Sequence, residues 1–153
     1  MSVRKPPTET FDDLRAIVSE LRTECPWDRK QTHESLAPHT LEEAYETIEA
    51  IEDGDDQALV GELGDMLLHV LMHAEIADGR NAFDFSAIVR NVAEKLVRRH
   101  PHVYGTTEVG DAEAVAKNWE ETKLAEGRTS LFDGMPRGLP ALQRAERVQQ
   151  KAH

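Results

Sequence analysis

Cysteine is almost missing from this chain: Cys25 is the only one, so no intrachain disulfide can form and no zinc cluster can be built from cysteine alone. Positive charge is also scarce. Lys and Arg number 18 against 29 Asp and Glu, a net charge of −11, which argues against a nucleic-acid-binding surface because such surfaces neutralise phosphates with excess cations. An acidic chain that handles phosphates needs metal ions. No apolar run approaches the ~18 residues of a membrane span. The opening "MSVRKPPTET" lacks the apolar core of a signal peptide. The expectation is a cytoplasmic protein that neither spans a membrane nor is exported, although "ALQRAERVQQKAH" stops as though more chain once followed. Aromatics reach only 5%, against 39% hydrophobic and 31% charged residues, a balance that suits an all-α protein better than a β-sandwich. No Walker A loop, Ser–His or Cys–His arrangement, internal repeat or low-complexity tract is present.

What is there is helical periodicity over 153 residues, a length that fits one domain. Leu14, Ile17, Val18 and Leu21 recur at helical spacing behind Thr10 as N-cap. After the loop "TECPWDRKQTHES", Leu41, Ala44, Tyr45, Ile48 and Ile51 mark one face of a second helix, from about Leu36 to Glu52. A turn at Gly54 ends it, and a third helix runs from about Asp56 to Ala77. The middle of that third helix is apolar almost all round, which predicts burial on most sides. A fourth helix, roughly Phe85 to Arg99, carries Ile88, Val92 and Leu96 inward and stops before Pro101. A fifth covers about Ala112 to Glu126, and the final thirteen residues form a last one. The helical core is about 11–127, followed by a loop and helix over about 128–153.

The short turn makes helices two and three an antiparallel hairpin, in which residues equally far from the turn lie level. Glu46 stands eight residues before Gly54 and Glu62 eight after; Glu43 and Asp65 stand eleven away on either side. Each helix also spaces its two carboxylates by three, so they project from neighbouring positions. Four carboxylates therefore converge roughly 12 to 16 Å from the turn, at about 1.5 Å per residue. Held close and partly buried, they repel each other and lose hydration. A cation must hold them together. Oxygen-only donors favour Mg²⁺, with Mn²⁺ as the second choice.

Plainer roles compete at each position. Glu43 could close a capping box with Thr40, and Glu62 could serve the helix dipole, although it sits deep for that. Glu42 and Glu49 read as solvated or auxiliary. Asp65 is hardest to explain otherwise, because Leu63, Met66, Leu67 and Leu68 surround it and a buried carboxylate needs a partner. Gly61 and Gly64 each cost roughly 1 kcal/mol relative to Ala in a helix, which close helix approach would explain. His69 and His73 lie on about the same stripe as Asp65 and serve either as core or interface groups or as further members of the cage. Neither completes the Glu-x-x-His pair of a di-iron helix.

The densest basic cluster is "EKLVRRHPHVYG", with Lys95 and Arg99 one turn apart and Arg98 beside them; Trp119 and Lys123 are likewise one turn apart. Near a helix C-terminus such cations are also favoured simply by the dipole. Together with a carboxylate-held metal, they meet the needs of nucleoside triphosphate chemistry, in which charge builds on a departing pyrophosphate.

"CPWDRKQTHESL", "LEEAYETIEAI", "ELGDMLLHVLMHA", "EKLVRRHPHVYG", "NWEETK" and "DGMPRGLPAL", in that order and spanning nearly the whole chain, resemble the MazG-type nucleoside triphosphate pyrophosphohydrolases of the all-α NTP pyrophosphatase superfamily. The resemblance implies hydrolysis of (deoxy)nucleoside triphosphates to monophosphate and pyrophosphate, serving nucleotide-pool sanitation. It implies that Glu43, Glu46, Glu62 and Asp65 bind Mg²⁺, and that Lys95, Arg98, Arg99, Trp119 and Lys123 bind the substrate. Glu43 or Glu46 would accept a proton, and Lys95 and Arg99 would support the leaving phosphates. It also implies a helical bundle built around the hairpin and completed by dimerisation, as a homodimer or higher homo-oligomer. Long family members carry two such domains and this sequence carries one, with motifs most like the first. The competing classes are a non-catalytic nucleotide-sensing or protein-interaction module that keeps the metal site, and, less favoured, a di-iron carboxylate bundle. Trp27 and Asp28 in "CPWD" either close over the base or anchor the loop, with Trp27 packed and Asp28 capping; anchoring is the preferred reading.

Overall fold

The computed structural model describes residues 9–152, except 108, 112, 116–117, 120–121, 123–125, 128–129 and 131. The described residues are helical or irregular, with no strand among them, so the chain is all-α as expected. It separates into two compact units, residues 1–91 and 92–153.

In the first unit, α1 (Phe11–Glu24) begins where the Thr10 side chain accepts the Asp13 N–H, with Asp12 and Asp13 in its positive first turn. A single 3₁₀ turn, Asp28–Lys30, follows, and Arg22 ties it back by donating to the carbonyls of Asp28 and Gln31. Helix α2 (His33–Asp53) starts three residues earlier than the apolar pattern suggested. Its N-terminus is a reciprocal capping box between Thr32 and Ser35. Thr40 is consequently deep in the helix, with its hydroxyl donating to the Leu36 carbonyl at 3.1 Å, and Glu43 is not a capping residue.

Two residues join α2 to α3 (Asp56–Asp78). Gly54 adopts the left-handed conformation, φ 67°, and returns its N–H to the carbonyls of Ala50 and Ile51; Asp55 then caps α3 by accepting from Gln57 and Ala58 at 3.0 Å. Such a turn forces the antiparallel hairpin. A side chain at Gly54 meets nothing within 4 Å, so Gly54→Ala carries only the left-handed backbone penalty of about 1–2 kcal/mol. Urea titration is expected to show that loss with no change in helix content.

Val18 of α1, Leu36 of α2 and Leu71, Met72 and Ile76 of α3 form the core, with Leu14, Leu68 and Phe85 packed against it. All the α3 members come from its C-terminal half. That distribution corrects the expected burial of α3 on most sides: Val60 and Leu63 are exposed because α1 covers only the end of the hairpin remote from the turn, and Val70, beside the core residue Leu71, is exposed as well. The stripe Leu41, Tyr45, Ile48 and Ile51 on α2 is exposed as well. Thr47 and Ala50 are the residues buried in that part of the helix. Gly61 and Gly64 admit no close approach within this chain, since a Cβ at either meets nothing within 4 Å.

Helix α4 (Phe85–Arg99) opens with Asp84 accepting the Ala87 N–H at 2.8 Å. Ile88 is half-buried, but Val92 and Leu96, expected inward, are exposed. In the second unit a four-residue helix, α5 (Pro101–Tyr104), forms where a loop was expected, with Pro at a first-turn position that needs no N–H donor. The residues described between 113 and 122 are helical, and the terminal helix α6 spans Ala141–Ala152. Lys123 and much of the expected fifth helix lie outside the described residues. No helix among the described residues is long and apolar enough to cross a membrane.

Candidate metal centre

Glu43 on α2 and Glu62 and Asp65 on α3 each bring a carboxylate oxygen within 4.8 Å of the others. The count from Gly54 explains the meeting, since Glu43 and Asp65 are a level pair and Glu62 sits one turn from Asp65 on the same face. Glu46 is not in this group. Thr47, one residue further on, is the buried residue at that level of α2 and donates to the Glu43 carbonyl at 2.7 Å. Glu46 is exposed instead and lines a shallow groove at the turn end with Glu49, Asp53, Asp55 and Glu62.

Asp65 is exposed, not buried as its apolar neighbours suggested, because Leu63 and Met66 beside it are themselves on the uncovered face. Glu43 and Glu62 are half-buried. The Glu43 carboxyl is pushed above its usual range, first by burial and then by the charges of Asp65, Glu46, Glu62 and Glu42. Among the described residues no Lys or Arg pairs with the three carboxylates. The nearest cationisable group is His69, whose Nε2 lies 3.9 Å from Glu43.

His69 does not supply the missing charge. Its Nδ1 lies 3.1 Å from the Thr40 hydroxyl. That hydroxyl already donates to Leu36, so the ring donates from Nδ1 and presents an Nε2 lone pair toward Glu43. Burial and then the neighbouring His39 lower its pKa further. An acceptor beside the Glu43 carboxylate leaves the site short of positive charge. The donor set thus fits a hard divalent cation, with three carboxylates leaving coordination positions for water and phosphate. His73 lies elsewhere: it stacks on His33, with 2.8 Å between their Nδ1 atoms.

Glu43 also borders a cavity of about 190 Å³ lined by Trp27, Asp28, Leu36, His39, Leu68, His69 and Met72. Trp27 is 58% exposed at its rim rather than packed. Asp28 does not cap α2, since Thr32 does; its side chain makes no hydrogen bond or ion pair among the described residues. The anchoring reading of both residues is therefore corrected.

The second unit gathers part of the expected basic set. Arg98 donates to Glu126 from Nε at 2.8 Å, with its Nη2 2.7 Å from the same oxygen as an ion pair, and Arg99 donates from Nε at 3.1 Å and from Nη2 to the other oxygen. The Arg99 guanidinium also lies over Trp119, 5.3 Å from its ring centroid, with His100 edge-on to the same ring. Lys95 is half-buried one turn before Arg99. Two features carried no sequence signal. Glu126 is 27 residues from Arg99 in an unremarkable charged stretch, and the cavity joins three separate segments.

An all-α hairpin with three convergent carboxylates defines a class of protein able to hold a cation, and known proteins narrow that class. Residues 31–104 match the MazG nucleotide pyrophosphohydrolase domain. The nucleoside triphosphate pyrophosphohydrolase/pyrophosphatase MazG of Thermotoga maritima is 44% identical over 148 residues, 93% of this chain and 56% of that protein. The uncharacterized protein YabN of Bacillus subtilis is 46% identical over 144 residues, 91% of this chain and 29% of it. The crystal structure of a MazG-related protein from Thermotoga maritima superposes with a TM-score of 0.64 at 29% identity, covering 74% of this chain and 98% of that one. The chain belongs to the MazG family. It spans between about a third and somewhat over half of these two relatives' length.

Proposed function

We propose that the protein hydrolyses (deoxy)nucleoside triphosphates to the monophosphate and pyrophosphate with the help of Mg²⁺, or of Mn²⁺ in its place, and so clears unwanted nucleotides from the pool. The observation that carries the reading is the meeting of Glu43, Glu62 and Asp65 without a cationic partner among the described residues, in a chain whose relative of matching sequence is named for this activity. These three carboxylates would hold the ion; when bound, it would neutralise phosphate charge and make water more acidic.

The other steps belong to side chains. Glu46, exposed and outside the group of three, keeps a carboxylate free to accept the proton of the attacking water, with Glu43 the second candidate. The new bond forms between water oxygen and the α-phosphorus, the bridging bond to the β-phosphate breaks, and pyrophosphate leaves. Lys95, Arg98 and Arg99 would bind the β- and γ-phosphates, with Lys123 as a further cation and Trp119 as an apolar surface. Purified protein with Mg²⁺ is expected to release pyrophosphate from at least one canonical or modified nucleoside triphosphate. Metal binding without any such release would remove the catalytic reading in favour of a nucleotide-sensing module.

The cavity beside Glu43 suits the base. At about 190 Å³ it falls below the roughly 300–1,000 Å³ of sites that enclose a drug-sized ligand, so it would take a ring rather than a whole nucleotide. The exposed Trp27 indole would stack on that ring at the rim. Trp27→Ala is expected to raise KM about 10-fold with kcat changed less than twofold, a loss of ~1.4 kcal/mol in uniform binding. Steady-state kinetics with two nucleotides that differ only in the base would check this.

The uncovered apolar face of the hairpin supports a homodimer or higher homo-oligomer. Leu41, Ile48, Ile51, Val60 and Leu63 are all exposed in the single chain, and Gly61 and Gly64 leave room for another backbone. A second copy would cover all of these at once.

A further inference from the structure

We propose that Glu126 is a built-in competitor for phosphate: it holds the donor edges of Arg98 and Arg99 when no polyphosphate is bound, and a polyphosphate displaces it. The proposal rests on the reading that these arginines bind substrate phosphates. Arg99 donates to Glu126 from Nε and Nη2, and Arg98 donates from Nε with its Nη2 in ion-pair contact; this is the edge that makes paired bonds to a carboxylate or a phosphate. One oxygen of Glu126 accepts both Nε–H bonds and lies against Arg98 Nη2, and the other accepts from Arg99 Nη2. The same edges therefore serve Glu126 or a phosphate, but not both.

Geometry favours displacement over rearrangement of the arginines. The Arg99 side chain is only 11% exposed and lies over Trp119, so the phosphate must come to the edge that Glu126 occupies. Glu126 comes from a separate segment, so its carboxylate can turn away by rotation of its own side chain while both arginines stay in place. Its carboxyl is held down to about pKa 2 by hydrogen bonds from Arg99 and then Arg98. Protonation therefore never releases it in working conditions, and only a competing anion does.

The consequence is selectivity for chain length. Orthophosphate or a nucleoside monophosphate must replace a paired carboxylate with a single group. A di- or triphosphate brings further linked anions, so once one has bound, the next engages at high local concentration. Glu126 thus raises the threshold for every phosphate and leaves the polyphosphates above it.

The test uses the full chain, Glu126→Gln and Glu126→Ala, with inorganic tripolyphosphate and orthophosphate as probes in titration calorimetry at fixed ionic strength. Equal thermal melting curves establish that the variants fold. Both variants are expected to bind tripolyphosphate about 10-fold more tightly than the native chain, because a charged competitor paired with both arginines has been removed. Orthophosphate should gain by about the same factor, because it displaces the same carboxylate, and so should bind where the native chain barely holds it. Native binding of tripolyphosphate with no gain in either variant, or with a loss, overturns this proposal alone and makes Glu126 a positioning partner of the arginines. No binding by any of the three proteins removes the phosphate-binding reading of Arg98 and Arg99 and the proposal with it.

Discussion

Asp65→Ala is expected to abolish pyrophosphate release, lowering kcat/KM by at least about 100-fold, the scale on which a group that stabilises transition-state charge acts, while leaving the fold intact. The reason it leaves the fold intact is that Asp65 is exposed and makes no ion pair among the described residues. The reason it removes activity is that Asp65 is one of the three carboxylates that meet among the described residues, and two oxygens from a hairpin seam hold Mg²⁺ poorly when the ion must also keep waters and phosphate. A stability measurement separates this account from ordinary damage. In chelator, the variant should melt at the same temperature as the native chain or slightly above it, because a repelling charge has left Glu43, whose carboxyl Asp65 helps push upward. With Mg²⁺ added, the native chain should gain stability as RT ln(1 + [L]/Kd) and the variant should gain little. Unchanged turnover in Asp65→Ala would sink the metal centre as described.

The hairpin and its carboxylates were legible because both follow from local rules. Gly54 and Asp55 specify a two-residue turn, and counting outward from it pairs Glu43 with Asp65. Counting alone does not give angular position, which is why Glu46 falls beside the seam while Thr47 takes its place. The start of α2 was missed because its first turn, His33 to Ser35, is polar, and Pro38 obscures it. In the structure Pro38 forgoes only the bond to the Glu34 carbonyl, near the helix start. Periodicity located the apolar stripe of α2 correctly but is silent on what covers it. Long-range pairs such as Arg99 with Glu126 leave no local pattern.

The exposed stripe leads to the second large effect. Ile51→Glu combined with Val60→Glu is expected to convert the protein from an assembly of at least twice the 17.2 kDa chain mass to a monomer, as read by sedimentation or light scattering. Ile51 is 59% exposed and Val60 74% exposed in the single chain, so two charges there do little to an isolated hairpin. Buried against a second copy, each aliphatic side chain is worth about 1.5–3 kcal/mol, and an unpaired carboxylate in its place costs more than that gain. Both residues flank the turn, on the end of the hairpin that α1 leaves bare, whereas Val18, Leu71 and Met72 keep the other end packed. Helix content should therefore persist in the monomer while its melting temperature falls and ceases to depend on protein concentration. Activity should fall with assembly, since Glu62 projects from the same uncovered half of α3 and relies on that half being held straight. A double variant that still assembles would show that this face is not the contact. A monomer with full activity would show that one hairpin alone holds the ion.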